Sequence, residues 1–243
     1  SINNAEKSSG SYIKAIYVGM SGSHVSGMNS HGVVGVRNNQ EVNNIDVDRV
    51  IEAARAIPIP ADQQILHVLP QEFCVDNQDG ISNPIGMSGV RLEAKVHVIT
   101  CGSSFLQNIV KCVERCGLQV NDIVFQALAA KAVLAANEKG FGVCLVDIGG
   151  GTADVSVFFD KTIRHSAVIP IGGDQVTNDL AVALRTPTAC AETLKLGQMI
   201  GLEDAISEVM IDIPVVAGKE LQKVSKKMVF EVVHARYEEL LLM

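Results

Sequence analysis

The run Asp147-Ile148-Gly149-Gly150-Gly151-Thr152-Ala153-Asp154 constrains this chain more than any other stretch. It lies between Val143-Cys144-Leu145-Val146 and Val155-Ser156-Val157-Phe158-Phe159, so it joins two β-rich segments. Three glycines in a row carry no Cβ atoms, so backbone N–H groups can turn toward one point and form an anion nest. Thr152 adds a hydroxyl donor. Asp147, at the end of what reads as a buried strand, is placed to face a hydrated cation. Phosphates with magnesium fit that set. The alternative is a tight hairpin turn that needs positive φ. Two rival phosphate motifs are missing. No G-x-x-x-x-G-K-[ST] occurs, and Asp154 stands where the last glycine of G-x-G-x-x-G belongs.

The pattern around this loop changes along the chain. Residues 1–11 are polar. A strand is expected over 12–20 and a short one over 33–36. A helix over 46–57 follows, with Val47, Val50, Ile51, Ala54 and Ile57 on one face, Asp46 as its N-cap, and Pro58 and Pro60 as its stop. The strand over 65–75 holds Pro70, which implies an edge or a bulge. In the next strand Leu92, Ala94, Val96 and Val98 alternate with Glu93, Lys95 and His97, which predicts one buried face and one wet face. His67 and His97 read as outward-facing strand residues. Further on, a helix over 104–116 ends at Gly117. Residues 122–137 read as a helix or as a strand plus helix. Strands over 142–147, 155–159 and 161–171 form a meander. Gly172-Gly173-Asp174 then opens a helix to residue 184, and helices over 189–199 and 219–242 complete the chain. Asp154 is expected to brace its own turn.

Composition removes several classes of function. Of 243 residues, 47% are hydrophobic and 19% charged, which excludes a disordered chain. The net charge of -7 disfavours nucleic acid, and the absence of Trp with 4% aromatics leaves few stacking platforms. None of the six cysteines forms a C-x-x-C pair. Cys112 and Cys116 share a helix face, but no second ligand pair sits nearby in sequence, so reduced thiols are expected. The longest apolar stretch, 123–136, is too short and too polar to span a bilayer. The chain opens without Met and stops within Leu240-Leu241-Leu242-Met243, so a fragment cut at both ends is expected.

Asp-Ile-Gly-Gly-Gly-Thr between hydrophobic strands resembles the second phosphate loop of the actin/Hsp70/hexokinase superfamily. Three strands, a helix and then Ala191-Glu192-Thr193-Leu194-Lys195 agree with that order. The resemblance narrows through further phrases. These are Leu66-His67-Val68-Leu69-Pro70-Gln71-Glu72-Phe73, Asn83-Pro84-Ile85-Gly86-Met87-Ser88-Gly89-Val90-Arg91 and Ala94-Lys95-Val96-His97-Val98-Ile99-Thr100-Cys101. Val113-Glu114-Arg115-Cys116-Gly117-Leu118 and Ala235-Arg236-Tyr237-Glu238-Glu239-Leu240 extend it. Together they resemble the FtsA family of bacterial cell-division proteins over nearly the whole chain. Lys131 stands where that family usually has a small polar residue, and Ala235 where it has Pro.

The resemblance implies an α/β fold: an actin-like ATPase (ribonuclease H-like) lobe with an inserted strand-helix-strand-strand (SHS2) subdomain. It divides the chain into a remnant of a preceding lobe (1–11), the insert (12–101), and a lobe with the second phosphate loop and the start of the next subdomain (102–243). The implied cofactors are ATP and Mg2+. Gly149, Gly150, Gly151 and Thr152 would hold phosphates, and Asp147 would bind magnesium through water. Glu192 and Lys195 would approach the ribose or base, and Gln126 would orient the attacking water. The implied activity is slow ATP hydrolysis at most, with this fragment inactive because the first phosphate loop is missing. The implied partners are filaments of FtsZ, other divisome proteins and further copies of the chain, with no nucleic acid. The implied place is the cytoplasmic face of the inner membrane at the division site, reached through a C-terminal segment outside this chain. Two other readings stay open: an interaction module without a working nucleotide site, and a small-molecule kinase of the same superfamily.

Overall fold

The computed structural model describes residues 2–37, 41–134, 141–197, 208–216 and 221–242. The chain divides into two compact units. One comprises Ser1–Asp147 and Asp154–Val168, the other Ile148–Ala153 and Ile169–Met243.

In the first unit, helix α1 (Ile2–Ser9) precedes strand β1 (Ala15–Met20). A four-stranded antiparallel sheet follows, built from β2 (Val25–Gly35), β3 (Gln63–Val75), β4 (Gln78–Ile81) and β5 (Arg91–Gly102), in the order β2-β5-β3-β4. Helix α2 (Asn44–Arg55) covers one face. Between them lie Val42, Val50, Ala54, Phe73, Val75, Leu92, Ala94, Val96 and Val98, all buried. Each Val, Leu or Phe side chain among them contributes about 1.5–3 kcal/mol. The helix passes so close to β2 that a Cβ on Gly32 would overlap the Val50 carbonyl and the Ala54 amide.

Several local expectations change here. β2 runs from Val25, well before the expected 33–36, because its full length pairs with β5. The α2 N-cap is Asn43, whose side chain accepts from the Ile45 and Asp46 amides. Asp46 is the third helical residue. It is fully buried and reaches back to the Asn43 amide, closing a capping box. Pro70 does sit at an irregularity: the β3–β5 register shifts between Pro70 and Glu72. The wet face of β5 ends at Lys95, because His97 is 1% exposed. His67 is half-buried and accepts the Phe125 amide.

β1 pairs in parallel with β6 (Gln119–Phe125), so it lies in a different sheet from β2–β5. Helix α3 (Ser103–Arg115) leads into β6, and the chain reverses at Gly117, whose φ is +76°. Met20, Val25, Ile99, Cys101, Leu106, Phe125 and Ala127 form the core there. Short α4 (Gln126–Ala130) and a 3-10 turn (Lys131–Val133) follow β6, so 122–134 is strand plus helix; 135–137 lie outside the described residues. A three-stranded sheet then runs β7 (Val143–Ile148), β8 (Ala153–Phe159), β9 (Thr162–Ile169). Asp160 and Lys161 both take positive φ at the β8–β9 turn, the geometry of a two-residue hairpin. β7 is an edge strand with Cys144, Val146 and Ile148 exposed, not the buried strand its apolar sequence suggests.

In the second unit, α5 (Gly173–Ala183) and α6 (Thr188–Gly197) pack with the β10 (Met210–Pro214)–β11 (Leu221–Ser225) hairpin and with α7 (Lys226–Leu242). Val176, Leu180, Leu184, Ala191, Leu194, Ile213, Val224, Val229 and Val233 fill the space between them. The expected helix over 219–242 is therefore a strand followed by a helix, with 219 and 220 outside the described residues. The tail of the helix expected over 189–199 also falls there, at 198 and 199.

Candidate functional site

The glycine loop turns on itself: the Gly149 amide donates to the Thr152 carbonyl at 2.8 Å. None of Gly149, Gly150 and Gly151 takes positive φ, so backbone handedness does not demand glycine here. Close approach constrains Gly149 and Gly150, whereas a Cβ on Gly151 would meet open space. The Gly173 amide donates to the Gly149 carbonyl at 3.0 Å, and the Asp174 amide to the Gly150 carbonyl at 2.8 Å. A Cβ on Gly150 would lie 3.1 Å from the Asp174 carboxylate. One on Gly172 would overlap both loop carbonyls. The first amides of α5, normally orphaned, are thus spent on holding the loop. Gly172-Gly173-Asp174 is the partner that sequence reading took only as a helix start; its paired glycines before an Asp were the available signal.

Glu192 and Lys195 lie one turn apart on α6 and pair at 2.7 Å. Both also meet Thr177 of α5: its hydroxyl lies 2.5 Å from the Glu192 carboxylate, and the Lys195 ammonium is 2.9 Å from that hydroxyl and 3.1 Å from the Gly173 carbonyl. The Lys195 hydrogen bond, and then that of Thr177, hold the Glu192 carboxyl below its ordinary range. The pair therefore fixes a carboxylate beside an ammonium whose three hydrogens already meet Glu192, Thr177 and Gly173. Thr177 escaped the sequence reading; a Thr one turn after Gly173 is too common to stand out.

In the first unit, the Gln126 amide, at the start of α4, donates to the Asp147 carboxylate at the end of β7 over 3.3 Å. Asp154 does not brace its own turn. It is 3% exposed, and the Ser21 hydroxyl lies 2.7 and 2.6 Å from its two oxygens. Burial pushes this carboxyl up, the Ser21 hydrogen bond pulls it back, and the Asp147 charge adds to the rise. Among the described residues no group of three or more His, Cys, Asp or Glu converges as a metal cage. Cys112 and Cys116 are exposed free thiols.

A solved PilM-PilN type IV pilus biogenesis complex resembles the chain with a TM-score of 0.54 at 15% identity, over 76% of this chain and 51% of that one. At that identity the likeness concerns fold. The class is thereby set: a mixed α/β fold shared with that complex, carrying an SHS2 insert. Residues 22–100 match the family model "SHS2 domain inserted in FTSA", and residues 144–230 match "Cell division protein FtsA". The cell division protein FtsA of Pseudomonas aeruginosa is 51% identical over 241 residues, 98% of this chain and 58% of the relative. Those of Neisseria meningitidis and Escherichia coli are 43% and 40% identical, over 98% and 99% of this chain and 58% and 57% of the relatives. The chain belongs to the FtsA family. It spans somewhat over half the length of the curated relatives it matches.

Proposed function

We propose that the chain is the part of a nucleotide-governed division scaffold that carries the second phosphate loop and the insert. ATP with Mg2+ is the ligand. The 149–152 loop takes phosphate oxygens, Asp147 reaches the magnesium through water, and Gln126 orients the attacking water. Glu192 and Lys195 meet the ribose or base. Hydrolysis is slow, and the nucleotide acts by setting conformation and self-association. In the whole protein this module links FtsZ filaments and later divisome proteins to the cytoplasmic face of the inner membrane, through a C-terminal amphipathic segment.

The observation that carries the reading is the hydrogen bond between Gln126 and Asp147, which brings two candidate groups from distant parts of the sequence to 3.3 Å. A second reading, an interaction module with no working nucleotide site, draws on the glycine loop: the Gly149 amide and two of its carbonyls are already committed. Titration of labelled ATP with magnesium separates them. Saturable micromolar binding, lost in Asp147→Ala and on chelation, overturns the interaction module. No binding leaves the interaction module.

A further inference from the structure

A buried polar relay connects three strands of the first unit. His97 of β5 is 1% exposed. Its Nδ1 lies 2.6 Å from Asn29 Oδ1 on β2, and its Nε2 lies 2.8 Å from Ser166 Oγ on β9. The partners fix the tautomer. Asn29 gives its Nδ2 hydrogen to the Arg164 carbonyl at 3.1 Å, so its oxygen faces the imidazole and accepts. Gln71 donates to the same oxygen at 3.2 Å and to the Ile163 carbonyl at 2.8 Å. Nδ1 therefore carries the proton, and bare Nε2 accepts from the Ser166 hydroxyl. Gly27 makes the approach possible, because a Cβ there would overlap Ser166 Oγ.

We propose that the Asn29–His97–Ser166 relay is a proton-sensitive latch that docks the insert's sheet on β9, closed around a neutral imidazole and released when His97 takes a second proton. A second N–H at Nε2 would make the Ser166 hydroxyl turn round to accept, and would bring a charge into a site that is 1% exposed. Polar groups bond the seam, and Val168 of β9 adds apolar packing against the core that holds Val25 and Ile99. The neighbouring charges are accounted for. His165 on β9 opposes a charged His97. On the strands around it, His31 of β2 pairs with Glu93 of β5 at 2.7 Å. Lys95 of β5 pairs with Glu72 of β3 at 2.7 Å, and Glu72 meets Arg164 of β9 at 3.3 Å. Burial first, then His165, pushes the His97 imidazole down to about 4.

The sign follows. The latched state holds the second proton less tightly than a released one, whose imidazole titrates near 6.5. Docking is at full strength above that value and weakens as pH falls toward 4, by roughly a few hundredfold. The test is nitrogen NMR of the whole chain with labelled histidine. The expected result is a proton on Nδ1 and a bare Nε2 at pH 7, a midpoint near 4 for His97, and amide shifts of Asn29, Gln71 and Ser166 following the same curve. Ser166→Ala should raise the midpoint by about one unit or more. A proton on Nε2 at pH 7, a midpoint near 6.5, or seam amides that ignore the His97 midpoint would overturn the latch. The wild-type measurement decides the matter even if the variant does not fold.

Discussion

Gly172 lies in extended backbone, at φ -155°, a conformation open to any residue. What forbids a side chain there is the pair of loop carbonyls that a Cβ would overlap. Both are backbone atoms, hydrogen-bonded to Gly173 and Asp174, so neither can swing aside. Gly172→Ala is therefore expected to cost about 2–3 kcal/mol, as an overpacked contact does, and thermal melting measures it. A variant as stable as the parent would show that the loop and the start of α5 do not hold one another as described. The same reasoning gives Gly149–Thr152 a different character from the one its sequence suggests. Its Gly149 and Gly150 carbonyls receive the start of α5, and Gly172 is the residue whose missing Cβ lets the two backbones approach.

Helix α2 shows where local reading succeeds and where it slips. The apolar face of 46–57 and the stop at Pro58 were legible, and the structure places the helix over Asn44–Arg55. The cap was misplaced because Asn43 and Asp46 are both good capping residues, and only the reciprocal pair distinguishes them. Asp46 also pairs with Arg49 one turn on in α2 at 2.9 Å and accepts the Arg37 amide at 3.3 Å, a use beyond the helix that no capping rule contains. Asn43→Ala should lower stability by about 1 kcal/mol, read as a shift in the urea midpoint with unchanged slope. His97 was misread for a related reason. A period of two reports the pleat, and the pleat cannot say that β9 will cover the polar face. β11 was absorbed into the following helix because five residues are too few to display a period. The stop at Gly117 and the bulge at Pro70 were readable, because each rests on backbone chemistry that tertiary contacts rarely override.

Across the molecule, acid acts on groups of opposite sign. His97 is pushed down, so its contribution is present above 6.5 and is lost toward 4. The Lys95 hydrogen bond holds Glu72 below its ordinary range, so that ion pair is lost only at lower pH still. Asp154 is raised and works the other way, because its proton is held more tightly in the folded chain. The denaturant midpoint of the whole chain should fall between pH 6.5 and 4; a flat profile over that interval would contradict the burial of His97. The net charge of -7 continues to disfavour nucleic acid, and no helix among the described residues is long and apolar enough to cross a membrane.

The parallel pairing of β1 with β6 carries one more consequence. Everything from Ser21 to Leu118 is a loop that must close before those two strands can meet. The cost of closing a chain rises with the logarithm of its length. Near the base of that loop, Val25 already pairs with Cys101, so an insert that has folded brings its own ends together. The excursion then acts as a short tether, and β1 and β6 collide as near neighbours. The order of assembly is thereby built in: the insert first, the strands it separates second. A module held by such a clasp is one that evolution can exchange for a plain turn without rewiring the sheet beneath it.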